Sequence, residues 1–265
     1  MSMTRAIFSA RRAAGVPVWL PALASVAAIV LGWAVLAVLV DTPRTLPAPW
    51  TVARLIWRAA VSGDLWFQTG MTLFRVAASF VLAMGVGAVI GLWLGRSAKA
   101  DAWLNPILVM TLNIPALVVI VLCYIWIGLN EVAAIMAVAI NKIPLVAVIM
   151  RDGTRALRPD LDDMARAYHM RPLDRLRHVI LPQLAPHFAS AARVGIALIW
   201  KIVLVVEFLG RSNGVGFKLH MYFQMFDVAQ VMAWSLSFVI VMLTIDYVIL
   251  RPWERRANRW RRDEN

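Results

Sequence analysis

The chain has 265 residues, of which 61% are hydrophobic and 16% are charged, and its formal net charge is +12 at pH 7. A soluble domain is about half apolar and about a quarter charged, so this composition predicts a membrane protein and excludes a disordered or collagen-like chain. The single cysteine, Cys123, lies in an apolar run, which excludes a disulfide framework and a paired-cysteine metal site.

Six apolar segments are candidates to cross a membrane, because a spanning helix needs about 20 mostly apolar residues. In chain order they are Val18–Val40, Met71–Leu94, Leu104–Ile127, Val132–Met150, His187–Leu209 and Val228–Leu250. They predict an all-α integral membrane protein with a six-helix domain over residues 18–250. Residues 1–17 and 251–265 are then tails on the same side of the membrane.

The positive charge is distributed unevenly between the two sides. With the N-terminus in the cytoplasm, the inner segments hold 18 of the 27 Lys and Arg residues and the outer segments hold 5. The inner segments are 1–17, 95–103, 151–186 and 251–265. Short loops rich in Lys and Arg stay cytoplasmic, so both termini are expected inside. The charge then faces the anionic lipids of the inner leaflet, and no nucleic-acid partner is needed to explain it.

Two local patterns concern the packing of the helices. Gly87, Gly91 and Gly95 recur every four residues, and small residues at this spacing let two helices approach closely in lipid. Packing within one subunit is favoured over a dimerisation motif. Residues 48–62 are predicted to form a helix at the membrane surface, with Trp50 and Trp57 at the level of the headgroups.

The loop 151–186 is the longest polar stretch of the chain and is predicted to contain two short helices. Asp160, which follows Pro159, is the candidate N-cap of the first helix, and Arg171–Pro172 separates the two. Pro182 is expected to close the unit. The apolar positions of the first helix are Leu161, Met164, Ala165 and Tyr168, and those of the second are Leu173, Leu176 and Ile180.

Two surroundings can bury these apolar stripes. They can rest on the membrane surface or on the helix ends of the protein itself, or they can dock as helices into a groove on a soluble partner. Periodicity alone does not separate the two possibilities.

Several short motifs carry a resemblance to a known family. The segment Asp163-Met-Ala-Arg-Ala-Tyr-His169, followed by Val179-Ile-Leu-Pro182, resembles the EAA loop of bacterial ABC importer permeases, with the same separation of 19 residues between Asp163 and Pro182. Four further segments agree: Thr72-Leu-Phe-Arg75, Asn113-Ile-Pro115, Trp126-Ile-Gly128, and Glu207 with Gly214-Val-Gly216. Together they resemble the nitrate/sulfonate/taurine branch of these permeases over residues 65–262.

The resemblance implies the type I ABC importer permease architecture in the bacterial cytoplasmic membrane, with loop 160–182 as a coupling helix that fits a cleft on a separate, dimeric ATPase. ATP binding and hydrolysis would belong to that partner, because the chain has no GxxxxGK[ST] phosphate loop. We therefore expect no enzyme activity, cofactor or metal in this chain. The motif assigns to the coupling loop Asp163, Met164, Ala165, Ala167, Tyr168, His169, Leu181 and Pro182.

The resemblance also implies two other partners. One is a second copy of the chain in a homodimer, since one six-helix subunit would form half of a pathway. The other is a periplasmic binding protein that docks on segments 41–70 and 210–227. The expected substrate is a small anion such as nitrate, a sulfonate, taurine or a related organic compound. The alternative is a secondary carrier driven by an ion gradient, but such carriers favour inverted repeats and acidic midplane groups.

The loop departs from the family pattern at three positions. Asp163 stands for the motif glutamate, Met164 for its first alanine and His169 for its glycine. Glycine at the turn between the helices tolerates a left-handed backbone, which histidine accepts less readily, so the turn geometry is expected to differ. Val121 also stands where similar permeases often have a second proline.

Ionisable side chains at membrane depth are costly and are candidates for the translocation path. Lys142 and Lys201 lie within the fourth and fifth segments and predict an electropositive wall for an anion, with Asn113 and Glu207 as further candidates for the path. The alternative is that each lysine forms an interhelical pair with a carboxylate such as Glu207 or Asp246.

Other charged positions have local interpretations. Arg75 lies near the start of its segment, where it is expected to snorkel to the interface. Glu207 and Arg211 are four residues apart and are expected to form a surface pair. The histidines of the loop region follow one another at intervals of nine, so successive ones lie on opposite helix faces and no metal site is expected.

Overall fold

The computed structural model describes residues 19–42 and 44–250, and the regular elements of that part are all helical. The tails predicted at 1–17 and 251–265 lie outside the described residues. The helices are α1 (Trp19–Val40), α2 (Pro49–Val61), α3 (Asp64–Arg96), α4 (Ala98–Asn113), α5 (Ala116–Ile127), α6 (Glu131–Arg155), α7 (Pro159–Ala167), α8 (Pro172–Arg175), α9 (Leu181–Gly210), α10 (Val215–Gln224) and α11 (Val228–Ile245). A π-helical turn, Leu176–Ile180, joins α8 to α9, and another, Asp246–Leu250, follows α11.

Four helices in the described part, α1, α3, α6 and α11 with its following turn, are long and apolar enough to cross a membrane, and there are five such spans if α4 and α5 count as one. Helix α9 is not among these candidates, although its 30 residues measure about 45 Å. It carries Arg193, Lys201 and Glu207. Length and composition thus account for five of the six predicted spans.

The prediction of one continuous helix over Leu104–Ile127 is wrong, because α4 and α5 are bent by 95° at their junction. The break lies at Ile114 and Pro115, both of which have extended backbone angles. Proline disfavours the helical conformation at the residue before it and cannot donate to the preceding turn. The residues on both sides of the break are apolar, so hydropathy alone does not predict it.

Helices α3 and α6 run parallel and form the tightest pair of the bundle. A Cβ added to Gly87 would lie 2.6 Å from Cβ of Val146, and one added to Gly91 would lie 2.5 Å from the carbonyl oxygen of Ala147. Gly95 faces Thr154 in the same way, one turn further on. The glycine ladder therefore packs two helices of the same chain, as predicted.

Helix α9 packs antiparallel to α6, because His187 lies against Gly153 at one end and Arg211 pairs with Glu131 at the other. Around these three helices the apolar core extends along the bundle in two large clusters. Ile199, Val203 and Trp234 belong to the first, and Met150 and Leu184 belong to the second.

Helices α1 and α2 lie at the edge of the bundle. The side chains of α1 are almost all exposed, and the indole N–H of Trp33 donates to the carbonyl oxygen of Pro47 at 3.0 Å. The helix predicted over 48–62 is present as α2, with Trp50 and Trp57 both exposed. The placement of α2 at the lipid headgroups stays a prediction.

Candidate functional site

The coupling loop forms a compact helical unit at one end of the bundle, which we call the coupling unit (residues 156–182). Its first helix, α7, begins at Pro159, whose fixed φ suits the first helical position. The prediction that Asp160 is the N-cap is therefore wrong. Asp160 lies inside the first turn and pairs with Arg158 at 2.6 Å, and this guanidinium holds the pKa of the Asp160 carboxyl below its usual value.

The apolar stripe predicted for α7 is divided between two faces. Ala165 is only 1% exposed and packs against the protein, and Leu161 is half-buried. Met164 is 43% exposed and Tyr168 is 79% exposed. Asp162 fixes this orientation, because it accepts two hydrogen bonds from Arg175 of α8, at 2.7 and 2.5 Å.

The turn after α7 contains a left-handed residue without a glycine. His169 has a φ of 49°, its N–H donates to the carbonyl of Arg166 at 3.0 Å, and the N–H of Met170 donates to the carbonyl of Ala165 at 3.0 Å. The turn thus keeps the conformation that the motif glycine would tolerate, at the energetic cost of a left-handed side-chain-bearing residue.

The second predicted helix does not end at Pro182. The chain is helical from Pro172 through the π-helical turn into α9, and Pro182 lies in the first turn of that long helix. In a continuous α-helix its ring would clash with the carbonyl of residue 178, and a π-helical turn directly before it widens the backbone there. The coupling unit is therefore joined rigidly to α9.

Seven of the eight predicted coupling residues are exposed, and Ala165 is the buried exception. Three exposed residues of α7 and Tyr168, which caps the end of that helix, lie one and four positions apart and so share one face. We call this surface the coupling face; it consists of Asp163, Met164, Ala167, Tyr168 and the adjoining His169. Leu181 and Pro182 are exposed at the start of α9.

A second candidate site lies at the opposite end of the bundle, around Arg75. This residue is 1% exposed, so the prediction that it snorkels is wrong. Its guanidinium donates to Glu131 at 2.8 and 2.6 Å, to Glu207 at 2.7 Å and to the backbone carbonyl of Asn213 at 2.9 Å, and it also contacts the Asn213 side chain. We call Thr72, Arg75, Glu131, Glu207 and Asn213 the Arg75 cluster.

Glu207 is fully buried in this cluster, and its predicted surface pair with Arg211 is wrong. One carboxylate oxygen, Oε2, accepts from the Thr72 hydroxyl at 2.9 Å and from the N–H of Gly216 at 2.8 Å. Arg211 follows the end of α9 in an extended conformation, which removes the helical four-residue spacing, and it pairs with Glu131 at 2.5 Å.

The Arg75 cluster also holds the start of α10. The N–H groups of Gly214 and Val215 donate to the Gln68 side chain at 2.6 Å and to the Thr72 hydroxyl at 2.9 Å. These bonds, with that of Gly216 to Glu207, satisfy donors that have no partner within the helix itself. Gly214 has a φ of 106°, and the Glu207 carboxylate occupies the space of a Cβ there, so no other residue fits well.

Three motifs that the sequence marked separately meet in this cluster, namely Thr72 to Arg75, Glu207, and Gly214 to Gly216. Gln68, Glu131 and Asn213 were missed. Glu131 is the first residue of α6, where an acidic residue suits a helix N-terminus, and nothing in its spacing indicates a partner 56 positions away.

The structure does not bring the four predicted path residues together. Lys142 is 9% exposed, lies midway along α6, and forms no ion pair with a described residue. Lys201 is exposed on α9, and Asn113 is exposed just before the break between α4 and α5. Glu207 has its oxygens engaged in the Arg75 cluster. In the part of the chain described, no group of three or more potential metal ligands is found.

An all-helical bundle with several helices long and apolar enough to cross a membrane is typical of an integral membrane protein, and the comparison with protein families gives its class. Residues 84–251 match the family model described as "Binding-protein-dependent transport system inner membrane component". This match covers more than half of the chain. The chain therefore belongs to this family of ABC importer permeases, and the resemblance stated above is confirmed.

Relatives of known sequence extend the match to most of the chain. It is 29% identical over 244 residues (92% of this chain, 88% of the relative) to the "Putative aliphatic sulfonates transport permease protein" of Bacillus subtilis. It is 23% identical to the taurine transport system permease protein of Escherichia coli, covering 86% of this chain and 84% of that protein. It is 25% identical to the bicarbonate transport system permease protein of Synechococcus elongatus, covering 74% and 72%.

Solved structures support the same fold. An inward-facing structure of the MetNI methionine ABC transporter aligns with a TM-score of 0.57 at 18% identity, covering 79% of this chain and 97% of that one. A structure of an amino acid ABC transporter with histidines aligns with a TM-score of 0.61 at 21% identity, covering 76% and 98%. The chain has the type I importer permease fold and is the permease subunit of an importer.

Proposed function

We propose that this permease subunit forms a homodimer that carries a small anion, such as nitrate, a sulfonate, taurine or a related organic compound, and that a separate dimeric ATPase drives it. A periplasmic binding protein would deliver the substrate to segments 41–70 and 210–227. The names of the sulfonate, taurine and bicarbonate relatives support an anionic substrate. The excess of Lys and Arg on one side supports a cytoplasmic location of both termini.

The observation that carries the ATPase proposal is the coupling face. Met164 and Tyr168 expose large side chains on a short helix whose other face is already packed against the protein. An amphipathic helix with such side chains in water is typical of docking into a groove on a partner. The exposed Asp163 beside them replaces the motif glutamate without loss of charge.

The experiment measures how much of the partner ATPase co-purifies with the full chain carrying Tyr168→Glu. We expect loss of at least about tenfold in co-purified ATPase, because a charge in a desolvated interface without a partner is strongly unfavourable. Phe226→Glu is the matched control, since Phe226 is similarly exposed but lies at the opposite end of the bundle. Equal retention of the ATPase by the two variants would show that the coupling face is not the surface on which the ATPase docks.

Lys142 is the strongest candidate for the anion path. A buried cation without an ion-pair partner among the described residues is costly in a membrane and marks a functional position by default. Lys201 and Asn113 are secondary candidates. We expect Lys142→Met to reduce anion uptake by about tenfold or more while the complex stays assembled, and Lys142→Arg to retain part of it. Wild-type uptake by Lys142→Met and by Lys201→Met would exclude the lysines from the path.

Membership of the importer family argues against the alternative, a carrier driven by an ion gradient. Reconstitution of the chain in proteoliposomes, with and without the ATPase, separates the two. Uptake that follows ATP and requires the ATPase supports the proposal, and uptake that follows an imposed ion gradient without it would overturn the proposal.

A further inference from the structure

A cleft of about 430 Å³ lies where the end of α3 meets the coupling unit. Its lining residues lie at the end of α3, at the end of α6, in the coupling unit and at the start of α9. The polar side chains of its lining include Arg96, Arg158, Asp162, Arg166, Arg175 and Gln183.

The charge of the lining is strongly positive. Four arginines face one carboxylate, Asp162, which already receives Arg175 at 2.5 Å and Arg166 at 3.4 Å. Arg158 reaches a second carboxylate, Asp160, outside the lining. Arg96, exposed at the last position of α3, has no ion pair with any residue of the described part. The cleft therefore retains an excess of guanidinium groups, which match phosphate in geometry and charge.

One wall of the cleft is apolar. Leu157, Val179 and Ile180 line it, and Val179 and Ile180 are themselves buried. A free inorganic ion gains nothing from this wall, whereas the glycerol and first methylene groups of a lipid would cover the apolar surface that the half-buried Leu157 leaves open there. The combination of arginines and an apolar wall favours a phosphate that is attached to a lipid.

We propose that this cleft binds the phosphate group of an anionic phospholipid of the inner leaflet, and that the bound headgroup bridges α3 and the coupling unit. The inference rests on the orientation given under the proposed function, in which residues 95–103 and 151–186 are cytoplasmic. Arg96 ends a helix that is long and apolar enough to cross the membrane, and it follows closely on the apolar segment Met71–Leu94, so in this orientation the cleft lies next to the inner headgroups. Arg158, Arg166 and Arg175 belong to the coupling unit, so the bound lipid would contact both α3 and the coupling unit.

The experiment uses the purified full chain in detergent, titrated with dioleoylphosphatidylglycerol, and native mass spectrometry to count the lipids retained. We expect retention of phosphatidylglycerol over phosphatidylcholine, and a loss of affinity of about fivefold for each of Arg96→Gln and Arg166→Gln. Lys99→Gln is the matched control, since Lys99 is an exposed cation near Arg96 in sequence but outside the cleft. Thermal unfolding of each variant verifies that the fold is intact.

Two results would overturn the inference. The first is phosphatidylglycerol retention by the arginine variants equal to that of Lys99→Gln. The second is equal retention of the two lipids together with protection by millimolar inorganic phosphate, which would assign the cleft to free phosphate. Neither measurement needs the ATPase or a transported substrate, so failure here is distinct from failure of the proposed function. Labelling of a cysteine placed at the exposed Asp174 tests the orientation separately.

Discussion

The two ends of the bundle differ in how their charged side chains are paired. At one end, Arg75 and the neighbouring Arg211 neutralise Glu131 and Glu207, and the backbone N–H of Gly216 donates to Glu207 as well. In the coupling unit, arginines exceed the carboxylates, and large side chains such as Tyr168 are left in solvent. Polar groups that are buried must be satisfied within the chain, whereas a surface in contact with water can leave them for partners.

The difference separates residues that hold the fold from residues that act on other molecules. Removing one partner of a buried ion pair leaves an uncompensated charge and costs about 3–5 kcal/mol, while an exposed pair contributes about 0–1 kcal/mol. Substitutions in the Arg75 cluster should therefore lower the free energy of unfolding of the chain. Substitutions on the coupling face should weaken only the binding of the partner ATPase.

The largest effect is expected for Arg75→Met. It strands the fully buried Glu207 and frees the start of α10, so we expect a loss of about 3–5 kcal/mol in the free energy of unfolding, measured by denaturation in detergent. Arg54→Met, an exposed arginine of α2, is the control and should change little. The double variant Arg75→Met with Glu207→Gln should be less damaging than the sum of its parts. Strict additivity would show that the two residues are not coupled.

A smaller loss is expected for Gly91→Ala, which forces a methyl group into the backbone of α6. Because the carbonyl of Ala147 cannot move aside, we expect a destabilisation of about 1–3 kcal/mol. Gly85→Ala lies on the same helix with open space around it, and it should instead gain up to about 1 kcal/mol from helix propensity. Thermal unfolding of the two variants compares them directly, and shifts of the same sign would contradict the packing of the ladder.

The smallest effect is expected in the coupling unit, for His169→Gly. It removes the strain of a left-handed residue and should stabilise the turn by about 1 kcal/mol. Slower proteolytic cleavage of the loop 156–182 is the measure. His178→Gly, which places a glycine inside the helical run, should accelerate the same cleavage. Faster cleavage of His169→Gly than of the wild type would refute the strain.

The sequence predicted the positions of most of the long helices and the packing of the glycine ladder within one chain, because each depends on local spacing. It failed where the partner is distant. Arg75 was assigned to the interface and Glu207 to a pair within its own helix, whereas their contacts join positions 132 residues apart. The break at Pro115 and the passage of the helix through Pro182 depend on backbone geometry that hydropathy does not report.

Helix α3 connects the two regions compared here. It is 33 residues long, about 50 Å, with Arg75 about a third of the way along it and Arg96 at its last position. Over the glycine ladder, the backbones of α3 and α6 are too close to slide past one another without first separating. The two helices are therefore expected to move as one rigid unit. A displacement of this pair at the Arg96 end would therefore also move residues 213–215, which Gln68, Thr72 and Arg75 of α3 hold by hydrogen bonds.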